Sequence, residues 1–105
     1  MLHILTESRH GEAIEIAVGD TLDLTLPETP STGYTWTAGT DSGETLKLLR
    51  SSFDPSTTTP GAGGVRHLIY QAQAPGQALL SANLDRPWTN DPIKQFELNV
   101  KVIAE

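Results

Sequence analysis

Apolar residues recur at every second position through most of this chain. Leu22, Leu24 and Leu26 alternate with polar residues, and the same period of two runs through 12–18 and 94–103. Successive side chains of a strand point to opposite faces, so this pattern is typical of strands with one buried face. No stretch shows a convincing period of 3.6 residues, as an amphipathic helix would. The chain is therefore predicted to be all-β.

Short clusters of glycine, proline, aspartate and serine separate the alternating runs and predict turns. The predicted strands are 2–7, 12–18, 21–26, 34–38, 45–53, 65–74, 77–84 and 94–103. The alternation changes phase between Leu48 and Leu49, which predicts a bulge. Many short strands with regular turn signals indicate a β-sandwich or a small barrel. A length of 105 residues suits one domain, 1–105.

The order of the strands predicts where the connections lie. In an antiparallel sandwich each strand carries the chain from one end to the other, so successive connections alternate between the two ends. Connections 27–33, 54–64 and 85–93 then leave one end, and 39–44 and 75–76 leave the other. The three connections at the first end have the unusual composition. Because loops carry binding functions more often than strands do, binding is expected at that end.

The charge balance excludes two classes of partner. Seven basic residues stand against 13 acidic ones, a net charge of -6. Nucleic acid and anionic membrane surfaces both require a cationic face, so neither is expected as a partner. No apolar run approaches the ~20 residues that a membrane-spanning helix needs.

Cysteine is absent, which excludes a disulfide, a thiolate metal site and a cysteine nucleophile. Residues 1–5 lack the cationic segment and the long apolar stretch of a signal peptide. Two alternatives for its location stay open. The protein is either cytoplasmic, or exported with a signal peptide that is not part of this sequence.

Two tryptophans have different settings. Trp36 shares one face of a predicted strand with Tyr34 and Ala38, so we interpret Trp36 as a core residue. Tyr34 begins that strand, where its hydroxyl could also hold the preceding loop. Trp88 follows Arg86 in a polar loop, and both residue types are frequent anchors of protein interfaces. Trp88 either anchors a partner or folds back over the end of the sandwich.

Other candidate sites lack the patterns that chemistry requires. The glycine-rich segment 61–64 has no Lys-Ser/Thr ending and no helix after it, so it is not a phosphate loop. Ser31 and Thr32 lie outside any nucleophile elbow. No metal-ligand spacing connects the histidines His3, His10 and His67. The sequence therefore favours a protein without metal, cofactor or catalytic residues.

Three segments together resemble a known family. Thr-Pro-Ser-Thr-Gly-Tyr-Thr-Trp at 29–36 resembles the N-P-[S/T]-T-G-Y-x-W motif of the chagasin-like inhibitors of cysteine proteases. Gly-Ala-Gly-Gly at 61–64 and Arg-Pro-Trp at 86–88 resemble the G-x-G-G and R-P-W motifs of that family, in the same order. Thr29 departs from the usual asparagine, whose amide caps a turn more strongly than a hydroxyl does.

The resemblance implies an immunoglobulin-like antiparallel β-sandwich that acts as a reversible, tight-binding inhibitor of papain-like cysteine proteases, without a cofactor and as a monomer. The three loops are expected to block the active-site cleft of the protease. The resemblance implies that 30–34 lies centrally in the active-site cleft, with Thr32 near the catalytic cysteine of the protease. It also implies that 61–64 lies along the non-primed side, and that Arg86 and Trp88 cover the primed side. The expected protease-binding residues are Pro30, Ser31, Thr32, Gly33, Tyr34, Gly61, Ala62, Gly63, Gly64, Arg86, Pro87 and Trp88.

Two other functions remain open at this point. The first is a non-inhibitory immunoglobulin-like module that binds carbohydrate or protein, with Tyr34 and Trp88 stacking on a sugar. The second is a structural subunit that assembles through a free edge strand such as 94–103.

Overall fold

The computed structural model describes residues 1–39, 44–55, 63–88 and 91–104. The strands in this part of the chain are β1 (Leu2–Thr6), β2 (Ala13–Ala17), β3 (Thr21–Glu28), β4 (Thr35–Ala38), β5 (Leu46–Pro55), β6 (Gly64–Ala72), β7 (Gly76–Asp85) and β8 (Lys94–Ile103). Two short 3-10 turns, Glu7–Arg9 and Pro30–Thr32, interrupt them. All eight predicted strands are thus present. Their ends differ by a few residues, and Tyr34 lies just before β4 rather than inside it.

The strands form two four-stranded sheets that pack face to face. Their orders are β1-β3-β6-β5 and β2-β8-β7-β4. The inward positions of β3 and β8 are those that the alternation predicted, from Leu22 to Leu26 and from Phe96 to Val102. This arrangement confirms the all-β sandwich. In the described residues no helix is long and apolar enough to cross a membrane.

In the described residues, two of the strand pairs are parallel within this mainly antiparallel sandwich. β1 pairs parallel with β3, and β2 pairs parallel with β8, whereas every other pair is antiparallel. The cause is the N-terminal path. The chain reverses after β1 and crosses to the second sheet as β2, then reverses again and returns to the first sheet as β3. β1 and β3 consequently run in the same direction as neighbours.

The strand at 94–103, named as the free edge in the structural-subunit alternative, is an interior strand. β8 pairs with β2 on one side and with β7 on the other, so its backbone groups are used on both sides. The order of strands in the described residues instead places β1, β5, β2 and β4 at the edges. β8 is interior because the N-terminal strand β2 covers the side that β7 leaves open.

The predicted bulge lies in β5. Leu48 is opposite Tyr70 and Arg50 is opposite Ile69, so Leu49 is an extra residue without a partner in the register. The change of phase that the sequence shows at Leu48 and Leu49 is therefore a shift in register, and the prediction is confirmed.

Candidate functional site

The connections β3–β4, β5–β6 and β7–β8 reach the same end of the sandwich in the described residues. Glu28, Gly64 and Pro55 are neighbours across three adjacent strands, and each stands where a connection begins or ends. At the other end, Gln73 N donates to Thr45 O at 2.9 Å, which places the β4–β5 and β6–β7 connections together. The expected division of the connections between two ends is confirmed.

The first of these loops is a turn held by its own hydrogen bonds. Within it, Pro30–Thr32 forms a 3-10 turn in which Thr32 N donates to Thr29 O at 3.1 Å. The Thr32 hydroxyl donates to the same oxygen at 2.7 Å and accepts a hydrogen bond from Tyr34 N at 3.3 Å. Gly33 then turns the chain with a φ of 82°, which residues with a side chain rarely adopt. Contacts within the chain itself therefore hold the first loop in this shape.

Trp36 joins the two stems of this loop, which are the end of β3 and the start of β4. We use stem in the same sense for the strand ends that flank the other loops. The Trp36 side chain is buried at 4% exposure, and its Nε1 donates to Pro27 O at 2.8 Å, on the strand that enters the loop. Tyr34 is half-buried and packs against the same core. The interpretation of Trp36 as a core residue is confirmed.

The third loop packs on the first through Arg86. Its Nε donates to Thr32 O at 3.3 Å, and its guanidinium carbon lies 4.4 Å from the Tyr34 ring centroid and 5.8 Å from the Trp88 ring. A Cβ atom at Gly33 would lie 3.3 Å from Trp88 Cη2. The absence of a side chain at Gly33 therefore leaves room for the indole ring beside the first loop.

Trp88 nevertheless keeps 71% of its surface exposed. This exposure favours the interpretation of Trp88 as an anchor for a partner over a side chain folded back over the end of the sandwich. Pro87 beside it is exposed as well, and so is Ser31 in the first loop.

The second loop is described only where it meets β6. Gly61 and Ala62 lie outside the described residues. A Cβ atom at Gly63 would lie 3.0 Å from Thr29 Oγ1, and one at Gly64 would overlap the Asp54 carbonyl oxygen. The two glycines therefore allow the second loop to approach the backbone of its neighbours closely. We call the described tips of the three loops, residues 29–34, 63–64 and 86–88, the wedge.

Sequence reasoning missed a buried carboxylate beneath the wedge. Glu28 is buried, and its Oε1 accepts a hydrogen bond from Trp36 N at 2.7 Å. Arg66 donates Nε to the same oxygen at 3.2 Å and Nη2 to Oε2 at 2.8 Å. A signal was present, since Glu28 takes the next inward position after Leu22, Leu24 and Leu26. A charged residue at an inward position requires a buried partner.

Each of the three histidines has a hydrogen-bonding partner elsewhere in the chain. His3 Nε2 lies 2.8 Å from Asp20 Oδ2, and His67 Nδ1 lies 2.9 Å from Asp23 Oδ1. His10 Nδ1 accepts a backbone N–H from β8 at 3.0 Å. In the part of the chain that the structure describes, no group of three or more potential ligands could hold a metal ion.

Residues 15–100 match the Chagasin family peptidase inhibitor I42. Chagasin of Trypanosoma cruzi is 29% identical over 94 residues, which cover 85% of this chain and 86% of that protein. Amoebiasin-1 of Entamoeba histolytica is 29% identical over 101 residues, covering 93% and 97%.

Solved structures share the fold. The cysteine protease inhibitor EhICP2 from Entamoeba histolytica superposes with a TM-score of 0.86 at 23% identity, covering 97% of this chain and 96% of that one. Amebosin gives a TM-score of 0.80 at 26% identity, with coverage of 96% and 98%. PbICP-C, solved in complex with falcipain-2, gives 0.56 at 14% identity, with coverage of 100% and 90%. Because the family match covers most of the chain, this protein belongs to the chagasin family of peptidase inhibitors and is an inhibitor rather than an enzyme.

Proposed function

We propose that this chagasin-family inhibitor blocks papain-like cysteine proteases by placing the wedge in their active-site cleft. The observation that carries the proposal is the packing of Arg86 on Thr32 and Tyr34, with Trp88 exposed beside them. This contact joins the first and third loops into one surface, beside which the Trp88 side chain is exposed. Aromatic and arginine side chains supply much of the binding energy of protein interfaces.

The twelve residues expected from the sequence take the following places in the proposed complex. Residues 30–34 enter the centre of the cleft, with Thr32 nearest the catalytic cysteine of the protease. Residues 61–64 lie along the non-primed side, where their backbone pairs with the substrate-binding strand of the enzyme. Residues 86–88 cover the primed side, with the Trp88 indole against the surface there.

The conformation of the first loop explains how it resists cleavage. Proteolysis requires an extended peptide whose carbonyl oxygen is free to enter the oxyanion hole. The Thr29 carbonyl oxygen already accepts two hydrogen bonds from Thr32, and the Thr32 carbonyl oxygen accepts one from Arg86. Gly33 turns the chain away from an extended path. The wedge therefore fills the cleft without presenting a bond that the enzyme can cut.

Binding loses little conformational entropy in this arrangement. The hydrogen bonds and ring contacts within the wedge order its side chains in the free protein, so contacts with the protease convert more fully into affinity. We further propose that 1–105 is a single inhibitor domain and acts as a monomer, which predicts one inhibitor per protease.

Titration of papain and a cathepsin with the purified protein tests the proposal. Residual activity should fall linearly and reach its minimum at equimolar inhibitor, and mass spectrometry should recover the inhibitor uncut. Full protease activity at high inhibitor concentration would contradict the proposal. Binding to a glycan array in that case would favour the carbohydrate-binding alternative.

A further inference from the structure

We propose that the ion pair of the buried Glu28 with the partly buried Arg66 positions the first loop of the wedge against the second, and so sets the affinity for the protease. The effect of the ion pair on affinity for the protease rests on the proposed function. Glu28 is the last residue of β3, directly before the first loop, and Arg66 lies near the start of β6, directly after the second. The pair therefore joins the stems of two loops through residues that are 38 positions apart in the chain.

The ion pair is bidentate, with two nitrogens of Arg66 donating to the two carboxylate oxygens of Glu28. Arg66 Nη2 lies 2.8 Å from Glu28 Oε2, and Arg66 Nε lies 3.2 Å from Oε1. Two parallel hydrogen bonds fix the orientation of both side chains, which a single point contact does not do. Oε1 also accepts the backbone N–H of Trp36 at 2.7 Å, on the strand that leaves the first loop. One carboxylate thus holds both stems of the first loop and one stem of the second.

Arg66 extends the same connection to the other stem of the second loop. Its Nη1 lies 3.4 Å from Ser51 Oγ, and its guanidinium carbon lies 5.8 Å from the Phe53 ring centroid. Both residues belong to β5, which leads into that loop. The two side chains of the ion pair therefore touch all four stems of the first and second loops.

The loops meet immediately above the pair. A Cβ atom at Gly63 would lie 3.0 Å from Thr29 Oγ1 and 3.3 Å from the Glu28 carbonyl oxygen. With so close an approach, a change in the spacing of the stems moves one tip relative to the other. The Glu28 side chain itself has 0% exposure, so it acts on a bound protease only through the loops that it holds.

The central variant is Glu28→Gln, which has nearly the same shape and keeps an acceptor for Trp36 N but loses the charge that pairs with Arg66. Arg66→Met removes the other partner. The matched control is Asp20→Asn, which breaks a carboxylate–histidine contact at the opposite end of the sandwich. Inhibition constants for papain are measured at a temperature where circular dichroism shows every variant fully folded, so that a loss of stability alone leaves them unchanged.

We expect Glu28→Gln and Arg66→Met each to weaken inhibition by roughly tenfold, and the double variant to lose no more than one single variant, because the two residues act as a unit. Asp20→Asn should inhibit like the parent protein. Arg66→Lys keeps the charge but cannot form the bidentate pair. Its inhibition constant should lie between those of the parent protein and Arg66→Met. Unchanged inhibition by Glu28→Gln, or additive losses in the double variant, would overturn the proposal.

A second measurement tests the positioning without a protease. Amide NMR spectra of the free protein should show shifted signals for Thr32, Gly33 and Gly63 in Glu28→Gln, and unshifted ones in Asp20→Asn. Unshifted loop signals in Glu28→Gln would contradict the positioning role even if inhibition were altered. If the parent protein does not inhibit papain at all, the proposed function fails, and these spectra still decide whether the ion pair positions the loops.

Discussion

The two tryptophans of this chain lie in opposite environments. Trp36 is 4% exposed, and its indole N–H is hydrogen-bonded to the backbone, whereas Trp88 is 71% exposed and has one edge near Gly33. A large indole left in water loses the free energy that burial would provide. The wedge keeps Trp88 exposed, and a partner that covers the indole would recover that free energy.

Replacement of Trp88 by alanine tests this role. Trp88→Ala should weaken inhibition of papain by about 2 kcal/mol, which is roughly thirtyfold in the inhibition constant. The urea midpoint should stay unchanged, because the side chain is mostly exposed in the free protein. An inhibition constant equal to that of the parent protein would remove Trp88 from the proposed interface.

The shape of the first loop depends on the backbone conformation of Gly33. In Gly33→Val, a branched side chain meets a φ of 82° and the Trp88 ring. The left-handed conformation should cost about 1–2 kcal/mol, and the loop should relax to another shape that binds papain more weakly. Circular dichroism should still show a folded sandwich, since the turn is outside the core.

Gly19→Val is the matched control for that substitution. Gly19 has a φ of 94°, lies at the opposite end of the sandwich, and has open space where a Cβ atom would go. It should lose similar stability and keep the inhibition constant of the parent protein. Equal inhibition by both variants would show that the conformation at Gly33 is not required.

At the scale of elements, the β5–β6 pair closes tightly beneath the second loop. Gly64 is opposite Pro55, and a Cβ atom there would lie 2.8 Å from Pro55 Cα, which is backbone that cannot rotate away. Gly64→Ala should therefore destabilise the fold by about 1–3 kcal/mol in urea denaturation. Gly63→Ala meets mainly the Thr29 hydroxyl and should cost less. Equal midpoints for the two variants would contradict this account.

Strand positions could be predicted from the sequence, but strand partners could not. The alternation of Leu22, Leu24 and Leu26 is a local property, and so is the change of phase at Leu48. The parallel pairing of β1 with β3, in contrast, depends on a crossing between sheets that no local pattern records. The interior position of β8 has the same origin, and it removes 94–103 as the free edge that the structural-subunit alternative needed.

At the scale of the whole molecule, the two ends of the sandwich have different roles. Asp20 lies at the end opposite the wedge, where Oδ2 is 2.8 Å from His3 Nε2 and 3.1 Å from Ala17 N. The contact with His3, followed by that with the Ala17 N–H and the amino group of Met1, holds the pKa of the Asp20 carboxyl well below its usual range. This network stabilises the fold at a distance from the proposed binding surface.

Stability should consequently fall in acid. The pKa of Asp20 is lower in the folded chain than in the unfolded chain, where it is about 4, so its contribution is complete above that value and is lost as the pH falls below it. The urea midpoint should decrease between about pH 5 and about pH 3, and it should decrease less in Asp20→Asn. An identical decrease in both proteins would exclude Asp20 as a source of the acid sensitivity.

The sequence by itself determined the strands, the bulge and the loops that share one end, because the side-chain period and the chain direction are set by neighbouring residues. Its three motifs also indicated the chagasin family. The tertiary structure alone decided that Arg86 packs over the Tyr34 ring, and that Glu28 meets Arg66 beneath the loops. The contacts of Glu28 with Arg66 and of Tyr34 with Arg86 join residues far apart in the chain, and they exist only once the strands that carry them have paired.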